Sequence, residues 1–271
     1  MTFGLDLKQL YHDDFSMEWL YEPWFDQRSK LTLITGPAGS GKSFFSMALA
    51  VALATGKPFL GTGPGFEGRR RVLVMDLEMG ASLLGLYTLM SLRGAEVTEV
   101  EVPVDTLTVW SDGMDGIPHG FHLGPRGHDE PAVWSDVLVE MLDRTKPDIV
   151  FIDPLVFLLG PRLADFDNAG TSAVLKGLRR YPHVQWVISH HESKTRETAS
   201  GKKMTVINRS RGGTAIPAAV DRQISVSVGK DESRLIEFAK ARGYFGSLAD
   251  LSFSFRAAVD IAAGKARLER C

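Results

Sequence analysis

Apolar residues recur along this chain in two kinds of segment, short continuous runs and stretches of helical spacing, and the two alternate. Leu31–Thr35, Val72–Asp76, Leu107–Trp110, Asp148–Asp153 and Val184–Ser189 are short, β-branched and apolar. That is the pattern of strands buried on both faces. Between them, Lys42–Ala54, Ala81–Leu92, Pro131–Arg144 and Asn168–Tyr181 read as helices. Pro131 suits the start of its helix, and Pro147 follows the end. Strands alternating with helices predict an α/β fold: a mainly parallel, twisted sheet with helices on both faces. After residue 189 the pattern changes. Ser193–Arg211 is polar and without strong period. Val220–Val228 and Arg234–Arg242 read as two strands around a turn at Gly229–Ser233, and Leu251–Phe255 as a last strand. They form a C-terminal antiparallel extension. The alternation in Ile224–Val228 suits a sheet with one wet face. Gly56–Gly68 and Ser111–Glu130 are expected as surface loops. The second carries His119, His122 and His128, read as exposed loop residues rather than as metal ligands.

At the first strand–helix junction stands Gly36-Pro37-Ala38-Gly39-Ser40-Gly41-Lys42-Ser43, followed by Phe44 at the helix start. It fits the phosphate-binding loop G-x-x-x-x-G-K-[ST] at every fixed position. Backbone N–H groups at a helix N-terminus face phosphate oxygens. The chemistry assigns Lys42 to the β- and γ-phosphates of ATP and the Ser43 hydroxyl to Mg²⁺. A carboxylate on the metal side is expected beyond the carboxyl end of a strand. Asp153 ends the run Ile149–Ile152 there, whereas Asp148 lies at the other end. Hydrolysis also needs a base to orient water. Glu78, just past the second strand, is the expected catalytic base, with Asp76 the alternative. Asp76 and Glu78 would share a face if that strand continued. Ser189-His190-His191-Glu192 ends the fifth strand at the same edge, so one histidine of the pair is expected to face the γ-phosphate. His190 is the first choice.

Composition narrows the rest. The 271 residues are 44% hydrophobic and 24% charged, with a formal charge of −2. Nucleic-acid affinity would therefore need a local basic patch rather than bulk charge. Ser193–Arg211 supplies one: Lys194, Arg196, Lys202, Lys203, Arg209 and Arg211 stand against Glu197 alone. Clustered cations without aromatics suit phosphate contact to single-stranded DNA. The single cysteine, Cys271, excludes an internal disulfide and fits a reducing cytoplasm. No apolar run approaches spanning length, so no membrane association is expected. The first ten residues lack the basic start and apolar stretch of a signal peptide.

Together these elements resemble the RecA-like P-loop ATPases, and more closely the hexameric replicative helicases of the plasmid RepA type. The likeness covers roughly residues 15–256. It is carried by Trp19-Leu20 and Trp24 before the loop, Val74-Met75-Asp76-Leu77-Glu78, Ile152-Asp153-Pro154-Leu155 and Asp165-Phe166-Asp167-Asn168. The histidine pair with Lys194, Arg211-Gly212-Gly213-Thr214-Ala215 and Lys240-Ala241-Arg242-Gly243 complete it. The resemblance implies a RecA-like fold and a hexameric ring with ATP bound between subunits. It also implies trans-acting cations that stabilise transition-state charge. Lys240 and Arg242 match the Lys-x-Arg pair of that role, and Arg222 is a second candidate. Three segments are expected: an N-terminal aromatic arm over 1–29, an ATPase core over 30–256 and a basic tail over 257–271. The arm holds Tyr11, Phe15, Trp19, Tyr21, Trp24 and Phe25, and either docks on a neighbouring subunit or closes its own core. The tail is expected as a helix or a disordered segment.

The function these readings predict is a DNA-stimulated ATPase, a single-stranded-DNA translocase or helicase in replication of a plasmid, phage or similar element. The alternative is a recombinase or annealing protein that coats single strands as an ATP-loaded filament. A small-molecule P-loop kinase and an ATP-dependent regulator of protein partners are further rivals.

Overall fold

A computed structural model describes residues 19–61, 68–111, 136–159, 168–192, 207, 215–229, 231, 233–242, 247–260 and 262–271. Its centre is a nine-stranded sheet in the order β11-β10-β9-β8-β3-β7-β6-β4-β5. The strands are β3 (Leu31–Gly36), β4 (Val72–Asp76), β5 (Leu107–Ser111), β6 (Ile149–Asp153), β7 (Gln185–His191), β8 (Arg222–Val228), β9 (Arg234–Ala241), β10 (Phe253–Asp260) and β11 (Lys265–Arg270). A separate short ribbon pairs β1 (Trp19–Tyr21) with β2 (Phe25–Asp26). Six strands, β8-β3-β7-β6-β4-β5, run parallel. The pairings of β8 with β9, β9 with β10 and β10 with β11 are antiparallel. This is the mainly parallel α/β sheet the alternating pattern predicts, with a C-terminal antiparallel extension, and it is consistent with a P-loop NTPase fold.

Side chains alternate across a strand, and here the alternation divides two cores. Ile34, Val72, Val74, Ile149, Phe151 and Val187 pack on one face with α1 (Lys42–Thr55). Leu31, Leu33, Leu73, Met75, Val150, Ile152, Trp186 and Ile188 pack on the other. There they meet α3 (Asp136–Thr145), α4 (Leu155–Leu159), α5 (Asn168–Leu178) and α6 (Ala215–Ala219). α1 is alanine-rich and buried along most of its length, so small residues let it lie close on the sheet. Gly56 ends it in the left-handed conformation at φ 73°, its N–H on the Ala52 carbonyl at 2.8 Å. α2 (Ala81–Gly94) packs on α1 and on β11. A Cβ on Gly94 would strike the Ala266 carbonyl, so glycine sets that close approach.

The described part of the arm closes its own core. Trp24 is fully buried among Phe45, Phe59, Phe238 and Phe253, with ring centroids 5.3–5.6 Å away. It joins α1 to β9 and β10. The arm is tied from beneath by Arg222, the first residue of β8. Its guanidinium donates to Asp26 Oδ2 at 2.6 Å and to the carbonyls of Pro23 at 2.6 Å and Trp24 at 2.9 Å. The Trp19 ring lies 5.2 Å from the same cation. Arg222 is fully buried and its two terminal nitrogens donate inside its own chain, so the expectation that it reaches a neighbouring nucleotide fails. The described residues of the C-terminal segment form strands rather than the expected helix or disordered chain. They complete β10 and form β11, with Phe255 opposite Arg270 and Asp260 opposite Lys265. Among the described residues no helix is long and apolar enough to cross a membrane.

Removing one partner of a buried ion pair strands the other charge. Arg222→Met is therefore expected to lower unfolding stability by about 3–5 kcal/mol, read from urea denaturation. An unchanged midpoint would show that the pair does not hold the arm.

Candidate active site

The site grows from the carboxyl edge of the parallel strands. β3 ends at Gly36, where a Cβ would collide with the Val226 carbonyl of β8. The loop that follows turns on Gly39 (φ 74°) and Gly41 (φ 89°), both in the left-handed region that favours glycine. α1 then starts at Lys42, directing its first amides into the loop. Lys42 Nζ donates to the Gly36 carbonyl at 2.9 Å and the Pro37 carbonyl at 3.0 Å. Burial lowers the pKa of this ammonium, and the charges of Asp153, Glu192 and Glu78 oppose the shift. Phe44 packs edge-on against Tyr87 of α2 at 5.8 Å. Arg234, at the start of β9, braces the loop from outside: its Nε donates to the Ser40 carbonyl at 3.0 Å. Sequence spacing gives no signal for that contact, because only the folding of the antiparallel extension brings it there.

Asp76 and Asp153 end β4 and β6 as register partners. By parity with Val74 and Phe151 both point to the α1 face. With Ser43 and Ser46 they line one small cleft. Ser189 Oγ donates to Asp153 Oδ1. Asp76 Oδ1 accepts the N–H groups of Glu78 at 3.0 Å and Met79 at 2.6 Å. β4 therefore stops at Asp76 instead of running on to Glu78. The Leu77 N–H turns to the Asp153 carbonyl at 2.8 Å, and Glu78 stands exposed in the bend. Asp76 Oδ2 is buried with no hydrogen-bond partner among the described residues. Burial, reinforced by the charges of Asp153 and Glu78, lifts the Asp76 pKa from 3.8 to about 6. An unsatisfied carboxylate oxygen beside Asp153 and the Ser43 hydroxyl fits a hydrated Mg²⁺, which takes few protein ligands and otherwise binds water and phosphate. Among the described residues no group of three or more His, Cys, Asp or Glu is arranged for a metal.

The histidine pair divides by the same parity. Expected at the γ-phosphate, His190 instead lies with Trp186 and Ile188 on the opposite face, buried. His191 is the one on the α1 face, its Nε2 3.7 Å from Glu78 Oε2. Lys240 and Arg242 stand together at the other end of the sheet from this loop, because β9 runs antiparallel to β8. Lys240 Nζ donates to the carbonyls of Pro217 at 2.6 Å and Val220 at 2.7 Å. Arg242 donates to the Ala218 carbonyl at 2.8 Å and Asp221 at 3.4 Å, and stays half exposed. Lys194, Arg196, Lys202, Lys203, Arg209, Arg211 and the three loop histidines lie outside the described residues.

Folding disfavours an ionised Asp76, because the folded chain holds that proton to about pH 6 and an unfolded one releases it near 3.8. The penalty is absent below the lower value, builds between the two and is complete above about 6. Asp76→Asn keeps the Oδ1 acceptor and sheds the charge. Without metal or nucleotide it is expected to gain roughly 1–3 kcal/mol at pH 8, with the gain fading as pH falls through 6. Denaturant melts at pH 5 and pH 8 measure it. A gain that does not change with pH would contradict the assignment.

A family model described as the AAA domain matches residues 13–197, about two thirds of the chain. The match takes in the loop, Asp76, Glu78, Asp153 and His191. A search of curated proteins finds no match. With the loop, the paired carboxylates and the match in agreement, the chain belongs to the AAA-domain family of ATP-hydrolysing P-loop enzymes.

Proposed function

We propose that this ATPase is stimulated by single-stranded DNA and works as a hexameric ring translocase or helicase in replication of a plasmid, phage or similar element. The observation that carries the reading is the end of β7. His191 touches Glu78, and two residues later the chain enters the basic segment 193–211. A backbone that joins a phosphate-contacting segment to the catalytic carboxylate gives nucleic acid a mechanical route to the hydrolytic step.

On this reading Glu78 orients the attacking water, and His191, rather than His190, aligns Glu78 and senses the γ-phosphate. Lys42 and the loop amides of 36–44 hold the phosphates. Ser43 and Asp153 would hold Mg²⁺, which would supply positive charge to offset that of the phosphates. Lys194, Arg196, Lys202, Lys203, Arg209 and Arg211 contact the DNA backbone. Lys240 and Arg242 act on the nucleotide of the next subunit. Their distance from their own loop supports that assignment, since in one chain they have no phosphate to serve. The Lys240 ammonium is already bonded, which makes half-exposed Arg242 the better reaching group.

Steady-state hydrolysis with and without single-stranded DNA tests the proposal, with Lys42→Ala as the blank. Strong stimulation that the blank lacks is expected. Indifference to DNA would overturn the motor reading. A closed ring in light scattering and electron microscopy separates it from a filament-forming recombinase.

Two further outcomes follow from the assigned roles. Glu78→Gln is expected to lower kcat at least about 100-fold while KM for ATP stays near wild type. A rate within a few fold of wild type would move the base to Asp76. Replacing Lys202 and Lys203 by alanine is expected to reduce the slope of log K against log salt for single-stranded DNA by about 0.7 per lost phosphate contact. An unchanged slope would remove these residues from the interface.

A further inference from the structure

Glu192 has no part in the roles above, although it directly follows His191 at the carboxyl edge. It is buried, and its Oε1 accepts the Ser225 hydroxyl at 3.0 Å. Glu192 follows β7, Ser225 belongs to β8, and β3 runs between those two strands. The bond therefore passes beneath the last residues of β3, where Thr35 is the register partner of both Ser225 and His190. The Glu192 N–H also donates to the Gly36 carbonyl at 3.1 Å. That oxygen is the one that accepts the Lys42 ammonium at 2.9 Å. The Glu192 charge attracts the same ammonium, after Asp153 and ahead of Glu78. A carboxylate is costly to bury, so packing alone would favour an apolar side chain here.

We propose that Glu192 is a positioning residue for ATP hydrolysis: its bond to Ser225 straps β7 to β8 across the root of the phosphate-binding loop. The strap fixes the Gly36 carbonyl and through it the direction of Lys42. The inference rests on the reading of Lys42 as the phosphate-binding lysine. A flexible four-carbon side chain has many ways to miss a phosphate. Anchoring the carbonyl that receives it reduces them, and small errors in such placement are costly in rate.

The test is the kinetics of Glu192→Ala, Ser225→Ala, their double variant and Glu192→Gln, run well below each melting temperature. The competent fraction is titrated with a fluorescent ATP analogue. Each alanine variant is expected to lose at least about tenfold in kcat/KM for ATP. The double variant loses no more than the worse single, because one strap is removed either way. Glu192→Gln keeps an acceptor for Ser225 and stays within about threefold of wild type. A merely structural role would lower the melting temperature and leave kcat/KM of the competent fraction intact, which overturns the proposal. So would losses that multiply in the double variant, or a glutamine variant as slow as the alanine one. Lys42→Ala run alongside separates the two levels: wild-type hydrolysis in that variant would sink the reading of the loop itself.

Discussion

Alternation of side chains along parallel strands is the constraint from which the site follows. β4, β6 and β7 all end at the carboxyl edge beside β3, and each presents every second residue to the face on which α1 packs. Asp76, Asp153, Ser189 and His191 are therefore delivered to one side without any loop having to carry them. The register pairing of Asp76 with Asp153 then places two carboxylates in adjacent positions. A slip of one residue in either strand would send its carboxylate into the opposite apolar core. The hydrophobic partition of the sheet and the chemistry of the site are thus one requirement, met by the same register.

That register is held by a core that closes around α1. Trp24 from the arm and Phe253 from β10 meet Phe45 and its neighbours, so the first described segment and the extension seal the same cluster. Arg222 fastens the arm where β8 begins, at the end of the sheet away from the loop. Arg234, at the end where the β8–β9 turn returns, fastens the loop itself. The antiparallel extension is consequently more than an edge to the sheet. Arg222, on the parallel strand β8 that leads into it, supports the core wall under α1, and Arg234 of β9 supports the loop at the N-terminus of α1.

The parallel half of the fold was legible because each strand is an apolar run bounded by turn residues, and because the phosphate-binding loop fixes its own flanking elements. The extension was legible only in part. β11 carries Ala266 and Leu268 as its inward residues, too weak an alternation to separate a strand from a helix or a tail. Arg222 and Lys240 look alike in sequence, as cations on apolar strands; only the placement of Asp26 and the arm decides that the first is internal. Of the candidate site, the loop, Asp153 and Glu78 were readable from spacing. His190 and His191 were not, since choosing between neighbours requires knowing which face α1 covers. Asp76 looked like a continuation of the strand towards Glu78, but its Oδ1 caps the bend that ends the strand.

The end of β7 carries the remaining argument. His191 and Glu192 leave the strand on opposite sides, one to Glu78 and the other to Ser225 beneath the loop. Their main chain stays bonded to Gly36 through the Glu192 N–H. A displacement of the chain at residue 193 would therefore be shared between the carboxylate proposed to orient water and the loop proposed to hold phosphate. On the proposed function this is a reason for the basic segment to follow β7. β7 lies beside the loop strand β3, and its His191 reaches past β6 to Glu78 just past the end of β4, so on the proposed function a pull at the end of β7 is passed to both halves of the site.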